Sequence, residues 1–213
     1  MPPCLHGALS AMPRIALPLL LFCLLIAPAR AEETRYWPLA TAHAQWDAIS
    51  AAPDCLRLRC FDAPRPVSRR DNPTRRHAGI DLFAHAGDAV IAIEDGRIVA
   101  FYPFLRARTG EMSYALLIAH DSYVANYGEV RATSLSRRGL GVGDAVRAGQ
   151  AIADVSDTAQ LHFETYAPHT ERNASWPHGA HQPARLRDPT DLLQTLQQNG
   201  RRLSPADVVL GQD

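Results

Sequence analysis

Short apolar segments separated by turn residues dominate the middle of the chain. The segments 89–93 and 97–101 flank Asp95-Gly96, a dipeptide typical of tight hairpin turns. Similar β-prone segments recur at intervals of roughly ten residues, without long helical periods. They cover residues 114–120, 123–127 and 151–155. The pattern predicts a mainly β fold, an antiparallel sheet or sandwich with short flanking helices.

Two stretches outside this region have helical character. Residues 42–51 predict a short helix in an N-terminal extension, and residues 189–196 predict an amphipathic helix with leucines 192, 193 and 196 on one face. Between them, residues 61–76 combine three prolines with five arginines, a density of proline that argues against helix or central strand. Arginines there either line a groove for an acidic polymer or form a solvated loop. The last dozen residues are polar, and we expect a frayed end.

Alternation along the segment 160–165 sorts its side chains onto two faces of a strand. Gln160, His162 and Glu164 share one face, and the apolar residues between them point the other way. The same rule predicts that Tyr127 and Glu129 share a face.

A His-Ala-Gly-Ile-Asp stretch at 77–81 places an imidazole and a carboxylate four residues apart. On a regular strand their roots would be about 13 Å apart, so one metal ion can bind both only if the backbone bends at Gly79. With His162 they form a set of two histidines and one aspartate, which suits Zn²⁺ with an open position for water. The alternative is a surface histidine and a turn aspartate beside an ordinary glycine.

The N-terminal segment predicts export. An apolar run at 15–27, too short to span a bilayer comfortably, follows Arg14 and precedes the small-x-small sequence at 29–31. We therefore predict a signal peptide over 1–31, with an uncleaved anchor as the alternative. The expected product is periplasmic or secreted and has no stable membrane span after cleavage. Beyond it, the predicted organisation is an extension and lead-in over 32–74, a domain over 75–196 and a C-terminal tail over 197–213.

Charge and cysteine content narrow the function classes. The chain has 22 basic and 22 acidic residues, so no nucleic-acid partner is expected. After signal cleavage only Cys55 and Cys60 remain, and a close pair in an exported chain predicts a disulfide. A metal pair or two free thiols are the alternatives.

Four segments, in order, resemble the zinc peptidases of the lysostaphin or LytM type, peptidase family M23, which cut peptide cross-bridges in bacterial cell walls. They are residues 77–81, the segment 87–90 with its Asp95-Gly96 turn, the Gly-x-x-Val-x-x-Gly-Gln-x-Ile-like turn at 143–152, and Leu-His-Phe-Glu at 161–164. The likeness extends over about residues 75–165. It implies an M23-type β fold, zinc ligands at His77, Asp81 and His162, and peptidoglycan as the partner.

The chain departs from this family at two active-site histidines. Gln160 stands where one of them is expected, Glu129 replaces the other, and the glycine-rich loop before the last strand is reduced to residues 156–159. Glu129 could serve as the general base, and Gln160 could donate a hydrogen bond to a carbonyl or oxyanion. The sequence therefore predicts a zinc-dependent endopeptidase acting on peptidoglycan cross-links. The alternative is a non-catalytic zinc-stabilised module that binds peptidoglycan or regulates another wall hydrolase.

Other candidates receive supporting roles. Glu164 is predicted either to orient His162 or to be a plain surface carboxylate. His120 is predicted to be a core residue, to support a metal ligand or to touch substrate, and Tyr127 to lie beside Glu129 at the site. His85 is expected in solvent on a turn. Three more histidines lie in a segment, 168–185, that we expect to be a flexible loop: His169, His178 and His181.

Overall fold

Antiparallel strands form most of the fold in the computed structural model, which describes residues 34–42, 59–66 and 73–210. Strands account for 40% and helices for 12% of these described residues, which confirms the predicted mainly β class. The strands are β1 (Leu39–Ala40), β2 (Pro64–Pro66), β3 (Pro73–Arg76), β4 (Ile80–Phe83), β5 (Ala89–Ile91), β6 (Gly96–Arg106), β7 (Met112–Ala119), β8 (Val124–Arg131), β9 (Ala145–Val146), β10 (Ala151–Asp154), β11 (Gln160–Tyr166) and β12 (Leu186–Arg187). The helices are α1 (Ser134–Arg137), α2 (Thr190–Asn199) and α3 (Pro205–Leu210).

A seven-stranded sheet positions the residues of interest. Its order is β12-β11-β8-β7-β6-β9, and β4 also pairs with β11. A smaller sheet has the order β1-β5-β10, and β2 pairs with β3 as a separate hairpin. Strand β11 therefore has β4 on one edge and β8 on the other, and it joins three segments that lie far apart in sequence.

The large sheet buries apolar side chains on both faces. One face contributes Leu116, Tyr127 and Phe163 to the main core, which also takes in residues of the smaller sheet. The alternate residues Ala115 and Leu117 belong to a second cluster, with Trp176 and Leu186 among its other members. Because Leu161 and Phe163 face the main core, Gln160, His162 and Glu164 lie on the side of the second cluster, as their alternation predicts.

A β-bulge interrupts the alternation on β8. Ala115 pairs with Gly128 and Tyr114 pairs with Val130, so Glu129 has no opposite residue on β7. Its φ of 66° is in the left-handed region, an unusual conformation for a residue with a side chain. Consequently Tyr127 and Val130 both enter the main core, while Glu129 turns toward the opposite face. The prediction that Tyr127 and Glu129 share a face is wrong for this reason.

The C-terminal region is more ordered than predicted. Helix α2 buries Leu193 and Leu196, as its pattern predicts, but it continues to Asn199. The backbone of Arg201 then pairs with the N-terminal segment, since Trp37 N donates to Arg201 O at 2.8 Å. Helix α3 follows within the segment that was expected to fray. Polar composition alone did not reveal these backbone contacts.

Several predictions fall outside the described residues. They include the signal peptide over 1–31, nearly all of the helix over 42–51, and Cys55 of the proposed disulfide. Within the described part of the chain, no helix is long and apolar enough to cross a membrane.

Candidate metal centre

Three buried side chains converge beside β11. One ligand atom each from His77, Asp81 and His162 lies within 4.8 Å of the others. Pairing of β11 with β4 places His162 directly opposite Asp81. His77 lies just before β4, and a bend at Gly79 separates the two. His77 Nε2 lies 3.1 Å from Asp81 Oδ1 and 3.0 Å from His162 Nδ1, which is 2.9 Å from the same carboxylate oxygen. The structure thus brings together the three residues that the sequence singled out.

Gly79 lies in the bend between His77 and β4. A Cβ atom at this position would lie 2.4 Å from the carbonyl oxygen of Phe163 and 2.8 Å from Cγ of Glu164. Only a residue without a side chain lets the bend pack this closely against β11. Glycine is therefore needed for close approach to the strand that carries His162, whereas its φ is not in the left-handed region that favours glycine.

Hydrogen bonds orient both imidazoles. His77 Nδ1 lies 2.9 Å from the carbonyl oxygen of Cys60, and because a carbonyl can only accept, Nδ1 carries the proton. His162 Nε2 donates to Glu164 Oε1 at 2.9 Å in the same way. The remaining nitrogens, Nε2 of His77 and Nδ1 of His162, face each other and Asp81. This is the arrangement in which partner groups hold histidine ligands toward a metal.

Glu164 is a buried carboxylate with several donors. Besides His162, it accepts hydrogen bonds from Asn126 Nδ2 at 2.6 Å and from the hydroxyl of Tyr166 at 2.9 Å. Only 1% of its surface is exposed, so the alternative of a plain surface carboxylate is wrong. Its contacts fix the ring of His162 in one orientation.

Burial and neighbouring charges shift the acid–base properties of the cluster. Burial lowers the pKa of His77. Burial also acts to lower the pKa of His162, but the negative charges of Glu164 and Asp81 outweigh it and raise this pKa to about 10. Burial by itself would raise the pKa of Asp81, but the two imidazoles hold it well below its usual range. The two carboxylates thus favour a proton on His162, and a metal ion bound there would compete with that proton.

Glu129 lies on the bulge, and it lines one pocket together with His77 and His162. Its Oε1 accepts a hydrogen bond from Gln160 Nε2 at 3.1 Å, and Arg59 Nη1 donates to Gln160 Oε1 at 3.2 Å. Its buried Oε2 has no hydrogen bond of normal geometry among the described residues. Burial raises the pKa of Glu129, and the negative charge of Asp81 raises it further, whereas the hydroxyl of Thr158 lies close enough to lower it. Gln160 therefore supports Glu129 instead of pointing its amide freely at a substrate.

An open pocket of about 470 Å³ gives access to these groups. Apolar walls come from Phe104, Leu105 and Trp176, and the ring of Phe104 lies 5.5 Å from that of His162. Three arginines also line the pocket: Arg65, Arg75 and Arg76. The pocket combines cationic and apolar surfaces around the buried donor set.

Two residues predicted for the site lie elsewhere. Tyr127 is fully buried in the main core, where its hydroxyl accepts from the backbone N–H of Ile93 at 3.1 Å. His120 lies near it, with Nε2 3.4 Å from the Tyr127 hydroxyl and Nδ1 2.9 Å from the carbonyl oxygen of Asp95. Neither lines the pocket, because both face the side of the sheet opposite His162. The predicted place of Tyr127 at the site is wrong, whereas His120 is a core residue, one of the alternatives that the sequence left open.

Four further histidines in the described part of the chain do not join the cluster. His85 is exposed on a turn, as predicted, and the described structure places His169, His178 and His181 outside the metal-ligand set. The segment that carries them is anchored at Trp176, which packs against Phe61 at a ring distance of 5.4 Å.

Sequence reasoning missed Arg65 at the donor set and Phe104 over His162. Arg65 belongs to a proline-rich lead-in with no periodic pattern, and Phe104 lies near the end of β6, beyond the predicted strand. Only the proline-bounded cluster of arginines pointed to this region. The contact of Arg65 with the donor set depends on how β2 and β3 pair.

The antiparallel fold and the buried His/Asp/His set define the class of a mainly β domain with a candidate metal centre. Residues 75–174 match the model of peptidase family M23, and the chain belongs to that family. No match was found among the curated proteins.

Three solved structures illustrate what this chain is similar to. LytU is 22% identical, with 64% of this chain and 82% of LytU covered at a TM-score of 0.44. The catalytic domain of the antimicrobial peptidase lysostaphin from Staphylococcus simulans is 23% identical, with 63% and 89% covered at 0.40. A zinc-containing peptidase from Vibrio cholerae is 24% identical, with 71% and 41% covered at 0.42. This chain therefore spans less than half of the V. cholerae protein.

Proposed function

We propose that this chain is a zinc-dependent endopeptidase that hydrolyses peptide cross-links of peptidoglycan outside the cytoplasm. The observation that carries the proposal is the convergence of His77, Asp81 and His162 within 4.8 Å at an open pocket. Two imidazole nitrogens and a carboxylate oxygen suit Zn²⁺, and three protein ligands leave a position for water or substrate. Membership of family M23 and the predicted signal peptide support the wall substrate and the location.

The chain's own groups supply positioning and proton transfer. A zinc ion held by the three donors would acidify a water molecule and polarise the scissile carbonyl. Glu129 is placed to take a proton and deliver it to the leaving amine, because it lines the same pocket as His77 and His162. Its raised pKa suits this role near neutral pH. Gln160 holds the carboxylate through Oε1, and Arg59 holds the amide of Gln160.

Hydrolysis of purified cell walls, with and without a chelator, tests this function. We expect wild-type protein to release peptide fragments, chelator to abolish the activity, and zinc to restore it. Glu129→Gln should retain zinc but lose about a hundredfold or more of the rate, the scale expected for a general base. Glu171→Gln is the matched control, because Glu171 is exposed and does not line the pocket. If Glu129→Gln is as active as Glu171→Gln, the proposed proton-transfer role is wrong.

A second function, binding of peptidoglycan or regulation of another wall hydrolase without catalysis, is favoured by one observation. Among the described residues that line the pocket, His77 and His162 are the only imidazoles, and both belong to the donor set. A double variant, Glu129→His with Gln160→His, restores the residues expected from the family resemblance. An inert wild-type protein and an active double variant would support the binding role, whereas wall hydrolysis by the wild type would reject it.

A further inference from the structure

The guanidinium of Arg65 contacts two of the three proposed ligands. Its Nη2 lies 2.8 Å from His77 Nε2 and donates to Asp81 Oδ2. The Arg65 side chain is 22% exposed, whereas that of Asp81 is 1% exposed, so the contact reaches from the pocket into the buried cluster. His77 Nε2 is an atom that the proposed zinc site would use, and Asp81 Oδ2 belongs to the carboxylate that would supply another ligand.

Arg65 and a metal ion cannot bind these atoms at the same time. The Nδ1 proton of His77 is committed to the Cys60 carbonyl, so Nε2 offers a single lone pair, and the Arg65 N–H points at it. Zinc would need that lone pair at about 2.0–2.1 Å and a carboxylate oxygen at about 2.0–2.2 Å. The positive charges of the Arg65 guanidinium and a zinc ion would also repel each other if both lay at the donor set.

The backbone holds Arg65 beside the donor set. His77 N donates to Ala63 O at 2.8 Å, and Asp62 N donates to His77 O at 2.9 Å, so the chain leading into β2 is bonded to His77 itself. Across the hairpin, Arg65 pairs with Arg75. A change of side-chain rotamer would therefore remove the guanidinium from the ligands while β2 stays in place. In the absence of metal, Arg65 supplies a positive partner for the buried carboxylate of Asp81.

We propose that Arg65 is an internal competitor for the metal: its guanidinium occupies the donor set in the metal-free chain and must swing away before zinc binds. This inference rests on the proposed zinc site and concerns its regulation. It implies that the chain binds zinc more weakly than its three ligands alone would, so the available zinc concentration sets the active fraction. Removing the Arg65 contact should therefore increase zinc affinity without adding a ligand.

Zinc titration of the metal-free full chain against a competing chelator tests the proposal. Arg65→Met keeps an apolar stem but cannot donate, and we expect it to bind zinc about 10–100-fold more tightly, the scale of a lost charged hydrogen bond. The control is Arg75→Met, which removes the same charge from the same pocket and from the residue opposite Arg65. We expect the control to stay within about threefold of wild type, the scale of an exposed charge. Equal affinities for the two variants would overturn the proposal.

A measurement on the wild-type protein covers the case in which Arg65→Met does not fold. Modification of arginines by phenylglyoxal, mapped by mass spectrometry, should be faster at Arg65 with zinc than with chelator and unchanged at Arg75. Unchanged modification at Arg65 on zinc saturation would overturn the competitor role, while zinc binding itself would leave the proposed function standing. If no zinc binds to the wild type or to a folded Arg65→Met variant, the donor set is not a zinc site and both proposals fail.

Discussion

Glu129 and Tyr127 are separated by one residue on β8, yet their side chains lie on opposite faces of the sheet. Tyr127 packs edge-on against Phe163 in the main core at a ring distance of 5.4 Å, whereas Glu129 lines the pocket beside His162. The bulge at Glu129 causes the reversal, because it adds one residue between the pairs formed by Gly128 and Val130. A backbone irregularity thus places the candidate general base.

The buried carboxylate of Glu129 should make the metal-free protein less stable as pH rises. Because its pKa is raised in the folded state, the native chain binds this proton more tightly than the unfolded chain. Stability is therefore lost above the unfolded-chain pKa of about 4.3 as the folded carboxyl is forced to ionise. Glu129→Gln should raise the midpoint of thermal unfolding at pH 7 in chelator, and the gain should shrink below about pH 4. An equal change at both pH values would show that the charge is not the cause.

Tyr127→Phe should weaken the fold without altering the chemistry. The substitution leaves the backbone N–H of Ile93 without its acceptor in the core, at a cost of about 1–3 kcal/mol in the free energy of unfolding. Urea denaturation measures this loss, and zinc content and wall hydrolysis of the folded protein should not change. Tyr114→Phe is the control, since no hydrogen bond of the Tyr114 hydroxyl is found in the described structure. A loss of hydrolysis in folded Tyr127→Phe would contradict this prediction and show that Tyr127 contributes to the chemistry.

Gly79→Ala should damage both stability and metal binding. The added Cβ would lie 2.4 Å from the carbonyl oxygen of Phe163, so the bend must move away from β11. We expect a loss of about 1–3 kcal/mol in the free energy of unfolding, together with weaker zinc binding. Gly141→Ala is the control, because its nearest neighbour is Asp144 Oδ2 at 3.8 Å. Similar effects of the two substitutions would contradict the close-approach argument.

Loss of two proposed ligands should remove the metal. Wild-type protein is expected to carry about one zinc per chain, and the His77→Ala/His162→Ala variant less than about a tenth of that, because one ligand cannot hold the ion. Elemental analysis after purification without chelator measures the content. His178→Ala/His181→Ala removes two exposed histidines and should leave the content unchanged. Full zinc content in the first variant would place the metal elsewhere.

The pair Cys55 and Cys60 remains a prediction from the sequence. A disulfide between them would close a short loop and stabilise the protein by about 2 kcal/mol or less. Cys60 also supplies the backbone carbonyl that orients His77, so reduction should affect zinc affinity more than this small stability suggests. Alkylation followed by mass spectrometry of unreduced protein tests the pairing, and two alkylated thiols would refute it.

Local periodicity carried much of the information about the fold. Alternating residues predicted which face of β11 holds His162 and Glu164. The Asp95-Gly96 signal marks a turn before β6, but the expected hairpin is wrong, because β5 pairs in the smaller sheet and β6 in the large one. The segments 77–81 and 161–164 also indicated their shared chemistry, because histidine and aspartate are zinc ligands whatever fold joins them. These features depend on neighbours in sequence, or on residue type alone.

Tertiary pairing decided the rest. The alternation rule assumes a regular strand, so it could not foresee the bulge that separates Glu129 from Tyr127. No local pattern could indicate that Arg65 reaches His77 and Asp81, because this contact requires β2 to lie beside the bend before β4. The sequence by itself determined the strand pattern and the donor residues. The pairing of β11 with β4 and β8, and the close approach at Gly79, decided how those donors meet and which side chains surround them.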